Sequence, residues 1–231
     1  MALGAVALAV RTFTPVSIWY PVKVVALFSA VMLLAIKWVA THHPFERFGS
    51  ANQVTTARAA LVALVAGLIG ESLNFETAML AAAVSLLVTL LDGLDGQFAR
   101  RAGIASVFGA RFDMETDAAL ILVLAVLAWE NSKAEVWVLM SGLLRYLFIT
   151  AGWCWSWMRK PVLSSLRGKA ICVVQVVVLA VVLLPTVTPP YSAALAAFGL
   201  VALSYSFVVD AWWLWRHADD DSTSVRFAQP D

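Results

Sequence analysis

The chain alternates long apolar runs with short polar connections, and that alternation sets the expected elements. After Arg11 an apolar run extends from Ile18 to Ala40, interrupted by Pro21 and Lys23 and nearly closed by Lys37. Between the two lysines lie 13 uncharged residues, VVALFSAVMLLAI, about 20 Å of helix at 1.5 Å per residue. That is short for a bilayer core of about 30 Å unless both lysines snorkel, so this helix either spans or lies along the interface. Its apolar residues surround the axis instead of forming one stripe, which favours spanning. Six further apolar segments follow, at 52–70, 76–99, 110–130, 134–157, 168–185 and 191–215. Pro44, Pro161, Pro185 and the Pro189–Pro190 pair punctuate the connections, where a missing backbone donor does no harm. Gly70 and Gly142 read as sites of close helix packing.

Composition supports the same class. The hydrophobic fraction is 61% and the charged fraction only 13%, about half the charged share of a soluble domain. The expected fold is therefore all-α: a polytopic membrane helical bundle. A net charge of +1 supplies no broad basic field, so nucleic acid is not expected as a partner. Met1–Val10 is apolar, but Arg11 follows the run instead of preceding it, which does not suit a cleaved signal peptide. Cys154 and Cys172 sit in apolar runs and read as a buried, reduced pair.

Charge placement then orients the bundle. Arg47 lies in the 42–51 connection, Arg100, Arg101 and Arg111 in 97–111, and Arg159, Lys160, Arg167 and Lys169 in 159–169. Arg216 opens the tail. The intervening connections, around 71–76, 130–135 and 184–191, hold one lysine between them. Positive residues collect on the cytoplasmic side, so the first set is cytoplasmic. Trp153, Trp155, Trp157, Trp212, Trp213 and Trp215 fall at those same ends, as an interfacial aromatic belt requires. The chain divides into an N-terminal segment (1–50) with an additional apolar helix, a membrane domain (51–217) and a polar tail (218–231).

Within this setting Asp92, Asp95, Asp113 and Asp117 stand out. They are spaced three and four apart, so on helices each pair shares a face. Carboxylates at membrane depth are costly and point to function. Two divalent cations would offset them, and a paired-metal clamp is suited to phosphoryl chemistry. An all-oxygen donor set without histidine selects Mg²⁺ or Mn²⁺ over zinc. Gly96 has no Cβ, so a phosphate can come close, and Gly109 can serve similarly. Arg100, four residues after Gly96, projects from the same side as the cation for a diphosphate. Asp117, deepest along its helix, is the candidate base for an incoming hydroxyl.

The string Asp92-x-x-Asp95-Gly96-x-x-Ala99-Arg100, eight residues, then Gly109-x-x-x-Asp113-x-x-x-Asp117, resembles the signature of the CDP-alcohol phosphotransferase family. Asn52-x-x-Thr55-x-x-Arg58 resembles the opening of that family's first core helix, with Ala51 in place of the usual proline. Ser164 to Lys169, followed by Gln175, resembles the segment entering its fifth core helix. The resemblance covers about residues 50–215 and implies a six-helix core, here with one extra N-terminal helix. It implies transfer of a substituted phosphate from a CDP-linked donor to an alcohol, with release of CMP, and it implies a possible homodimer. By position, Asp92, Asp95, Asp113 and Asp117 would hold two metals, with Asp117 also deprotonating the acceptor. Gly96, Ala99 and Gly109 would make room for the nucleotide, Arg100 would touch its diphosphate, and Asn52 and Thr55 would line the nucleotide side.

The expected reaction is phosphatidyl transfer from CDP-diacylglycerol to a small polar alcohol: glycerol 3-phosphate first, then inositol phosphate, then serine. The expected location is a bacterial-type plasma membrane, with the active site on the cytoplasmic side. Arg145, Lys169 and Ser164 are the acceptor candidates. For Arg145 a structural ion pair is the equal alternative, since an arginine inside a membrane helix needs a partner. Glu115, two positions from Asp113, should point away from the aspartate pair into packing or an interhelix bond. Asp210 should pair near Arg216. Two other functions use similar features: an intramembrane prenyltransferase, which also binds a diphosphate through aspartates and Mg²⁺, and a divalent-cation transporter.

Overall fold

In a computed structural model, the protein is described over backbone residues 2–42, 50–102, 107–159 and 166–217, and every regular element among them is helical. The helices are α1 (Ala2–Phe13), α2 (Tyr20–His42), α3 (Ser50–Ala66), α4 (Phe75–Ala102), α5 (Val107–Glu130), α6 (Met140–Cys154), α7 (Leu166–Leu183) and α8 (Tyr191–Arg216). Short 3-10 turns, Val136–Leu139 and Ser156–Arg159, flank α6. Among the described residues, Phe75–Gly93, Val136–Cys154 and Tyr191–Arg216 are long and apolar enough to cross a membrane. The tail 218–231 lies outside the described residues.

Side chains large and small meet along α5, which packs against α2, α3, α6 and α7. Leu120, Leu124 and Leu127 are at most 1% exposed and meet Val65 and Leu68 of the α3 end and Leu179 and Leu183 of α7 in one apolar core. Gly142 lets α6 lie against α5, because a Cβ there would fall 2.6 Å from the Leu122 Cα. Outward faces are strongly apolar: Phe198, Val201, Tyr205 and Val208 of α8 are all at least 60% exposed, as lipid-facing positions must be.

Polar contacts sort the helix ends into two sets. At one end the Gly70 amide donates to Glu130 (2.9 Å), and Lys133 Nζ donates to the Leu184 and Val187 carbonyls (3.0 and 2.7 Å). The Ser192 hydroxyl closes this end by donating to the Lys133 carbonyl (2.6 Å). Lys133 thus ties down the turn that follows α7 through two of its carbonyls. Helix α4 starts here with a reciprocal cap: the Thr77 amide donates to Asn74 Oδ1 (3.0 Å) and the Asn74 amide to Thr77 Oγ1 (2.9 Å), an arrangement that satisfies two orphan donors at once. Helices α3 to α8 therefore run alternately up and down. The aspartate-bearing ends meet at the opposite end of the bundle.

Several expectations change in the structure. Ala2–Phe13 is a helix of 12 residues, too short to cross a bilayer core. It packs on α2, where Gly4 approaches Val25 (3.8 Å from a Cβ built there). Helix α2 lies along the bundle, not across it. The Tyr20 hydroxyl donates to the Leu64 carbonyl (2.9 Å), Gly67 accommodates Tyr20 and Val24, and Phe28 packs on Ala59 and Phe112. That direction is antiparallel to α3, and the apolar stretch Tyr20–Leu33 is shorter than the three helices long enough to cross a membrane. Gly70 is not a packing glycine: its φ is +76° and nothing lies within 4 Å of a built Cβ, so it makes a left-handed turn that other residues rarely adopt. The 134–157 segment is not one helix, because Trp155 is extended (φ −118°, ψ 115°) and ends α6.

Candidate active site

Helix α4 continues to Ala102 and α5 starts at Val107, so most of the expected 97–111 loop is helical and only 103–106 connects them. Asp92 consequently lies ten residues, about 15 Å, before the end of α4, not beside it. Gly96, Ala99 and Arg100 also fall on this helical extension, along with Asp95. The side chains at 95, 99 and 100 lie outside the described residues.

At the centre is Arg58, the last fixed position of the Asn52-x-x-Thr55-x-x-Arg58 motif. Arg58 of α3 has no exposed side-chain surface. Its Nη1 lies 3.1 Å from Asp92 Oδ1 and also binds Asp113 Oδ1, while Nη2 binds Asp117 Oδ1. The spacing of four on α5 places Asp113 and Asp117 on one face, as expected, and that face turns to Arg58. The carboxylates of Asp92, Asp113 and Asp117 offer oxygens within 4.8 Å of one another. Each is roughly one-third exposed or less, open enough to reach from outside.

Charge accounting at membrane depth identifies the need for Arg58. A buried guanidinium is tenable only when paired, and converging carboxylates need a cation. One guanidinium against three carboxylates leaves two negative charges. The oxygen-only donor set fits a hard divalent cation, and the short separations allow these residues to share one. Asp92, Asp113 and Asp117 are therefore a donor set suited to Mg²⁺ or Mn²⁺.

The remaining candidates occupy distinct places. Thr55 is buried (5% exposed) one turn before Arg58 on the same face of α3. Gly109 is half-buried in the first turns of α5. Asn52 is on α3, with its side chain outside the described residues; Ser164 lies outside them altogether. Lys169 is exposed near the start of α7.

Arg145 is paired: its Nη2 donates to Glu115 Oε1 at 2.7 Å. Glu115 thus makes the interhelix bond expected of it, and Arg145 is held in that ion pair. Asp210 does not pair near Arg216; it binds Arg167 of α7. Arg216 instead stacks over the Trp212 ring, 4.0 Å from its centroid, a cation–π contact that fits an interfacial end. Of the two cysteines, Cys172 is half-buried but Cys154 is exposed at the end of α6, so they are free thiols without being a buried pair. Trp153, Trp155, Trp212 and Trp215 are more than half exposed, consistent with the aromatic belt.

The fixed carboxylates, the glycine and alanine spacing on α4 and the α3 motif all lie within the region matched by one family's sequence profile. Comparison with curated proteins and with solved structures gave no match. The profile described as CDP-alcohol phosphatidyltransferase matches residues 48–211, which takes in α3 to most of α8 and leaves α1 and α2 outside. That family depends on divalent cations in general, in accord with the carboxylate cluster. The protein is thus an integral membrane transferase of phosphate-containing groups, acting in phospholipid head-group transfer, and it belongs to the CDP-alcohol phosphatidyltransferase family.

Proposed function

We propose that the protein transfers a phosphatidyl group from CDP-diacylglycerol to a small polar alcohol and releases CMP, at the cytoplasmic face of a bacterial-type plasma membrane. The observation that carries this reading is the convergence of Asp92, Asp113 and Asp117 within 4.8 Å inside the family's motif. Asp95 completes the metal set. Bound Mg²⁺ or Mn²⁺ would supply charge stabilisation for the phosphate oxygens. Asp117 accepts the proton of the acceptor hydroxyl. The hydroxyl oxygen forms a new bond to the phosphorus that carries diacylglycerol. The bond from that phosphorus to the bridging oxygen breaks, and CMP leaves with the electron pair.

Gly96, Ala99 and Gly109 make room for the nucleotide, with Asn52 and Thr55 on its α3 side. Arg100 neutralises the diphosphate as the leaving group develops charge. The orientation rests on the excess of Lys and Arg at the aspartate end of the bundle. Family membership favours this transferase reading over a prenyltransferase or a cation transporter.

For the acceptor, glycerol 3-phosphate leads, followed by inositol phosphate and then serine. Lys169 supports a phosphorylated acceptor because it is exposed at the start of α7, with Ser164 just before it in sequence. Arg145 contributes from its pair with Glu115. The test is competition among the three acceptors on purified protein with CDP-diacylglycerol and Mn²⁺. Glycerol 3-phosphate should give the highest kcat/KM, and preference for serine would contradict an anionic acceptor.

A further inference from the structure

The Arg58 contacts go beyond what a transfer site alone requires. Three of the four carboxylates that the metal reading uses, Asp92, Asp113 and Asp117, are already engaged by one guanidinium, through Oδ1 in each case. That guanidinium is fully buried, so it cannot swing into solvent while the helices stay packed. It is also incompletely satisfied: Arg58 Nε is buried with no hydrogen-bond partner. An arginine serving only as a permanent strut would normally have its rigid fork of donors matched. Here the fork is matched only where carboxylates have gathered.

We propose that Arg58 is a resident counter-cation that competes with the divalent metals for Asp92, Asp113 and Asp117. This rests on the metal reading of the same site. Without metal, Arg58 holds α4 and α5 together by neutralising carboxylates that would otherwise repel. Metal loading brings further positive charge among oxygens already within 4.8 Å of one another. The guanidinium then loses its direct contacts or is repelled, so site occupancy is coupled to the face of α3 that carries Arg58. Thr55 lies one turn away on that face, which places the coupling beside the proposed nucleotide side.

Competition has a sign that a supporting strut does not share. In the purified full-length protein without substrate, Mn²⁺ binding can be followed by electron paramagnetic resonance. Arg58→Gln should bind Mn²⁺ at least about fivefold more tightly than wild type, within the usual range of coupling between sites. In chelator its melting temperature should fall below that of wild type, and Mn²⁺ should raise it by a larger increment. Arg58→Lys, which keeps one cation but cannot bridge three carboxylates, should shift in the same direction by less.

Equal or weaker Mn²⁺ binding by Arg58→Gln, with wild type binding normally, would overturn the proposal and leave the metal reading intact. Absence of Mn²⁺ binding by wild type would overturn both. A variant recovered in folded form only with Mn²⁺ supports the proposal; a variant that fails to fold even with Mn²⁺ counts against it.

Discussion

Replacing Asp117 by Asn removes a charge and a base while keeping the shape of the side chain. Its effects on folding and on turnover should therefore separate. In the structure Asp117 Oδ1 accepts from Arg58 Nη2, and an Asn oxygen can accept the same bond. The triad and Arg58 together carry two negative charges with Asp117 ionised and one with Asn. One of the four proposed ligands is weakened, and the group assigned to the acceptor proton is lost.

General-base removal alone costs about 10²- to 10⁴-fold, so CMP release at saturating Mn²⁺ should fall at least about 100-fold. Donor binding should change by less than about tenfold, because Gly96, Ala99, Arg100 and Thr55 are untouched. The assay is CMP formation from CDP-diacylglycerol, paired with equilibrium binding of the donor on the same preparation. A rate within about tenfold of wild type would refute the assignment of Asp117 as base. A rate loss matched by an equal loss of donor affinity would instead reassign it to binding.

Arg145→Ala should raise the KM for a phosphorylated acceptor while Glu115→Gln leaves it nearly unchanged; equal effects from both would mean that only their 2.7 Å ion pair matters. Gly142→Ala should destabilise the bundle by about 1–3 kcal/mol through overpacking, since the added Cβ meets Leu122 backbone at 2.6 Å, and an unchanged unfolding curve in mixed micelles would contradict this. Glu71 is held below the usual glutamate range: burial pushes it up, but hydrogen bonds from Lys23 and Ser17 and the charge of Lys23 pull it further down. Because its folded value is depressed, this link contributes stability above the unfolded value of about 4.3, lost as pH falls through the folded value. Glu71→Gln should therefore melt with a shallower pH dependence below about pH 4, and parallel curves for the two proteins would count against the link.

The helical class and the aspartate face were legible because their signals are local. Apolar runs report spans, and a spacing of four reports a shared face, as Asp113 and Asp117 confirm. What escaped depended on partners distant in sequence. Arg58 stands in a sequence motif, yet it also opens the apolar stretch ARAALVALVA, and the rule applied to the four aspartates applies equally to a cation at that depth. Arg216 is the arginine nearest to Asp210 in sequence, while the fold supplies Arg167 from the neighbouring helix α7.

The start of the 97–111 connection is polar and charged, but its residues QFARRA (97–102) are mostly good helix formers, and they continue α4. Gly70 and Gly142 show the same limit in miniature. Both are glycines beside apolar runs, but one makes a left-handed turn and the other admits a neighbouring helix. No local pattern distinguishes those two uses.

The central claim is metal-dependent transfer from a CDP-linked lipid, and the product formed from the donor tests it most directly. Purified protein would be incubated with CDP-diacylglycerol and an acceptor, with Mg²⁺ or Mn²⁺ in one arm and chelator in the other. CMP and a phosphatidyl product should appear in equal amounts with metal and be absent with chelator. No CMP with any acceptor, or undiminished CMP release in chelator, would contradict the account.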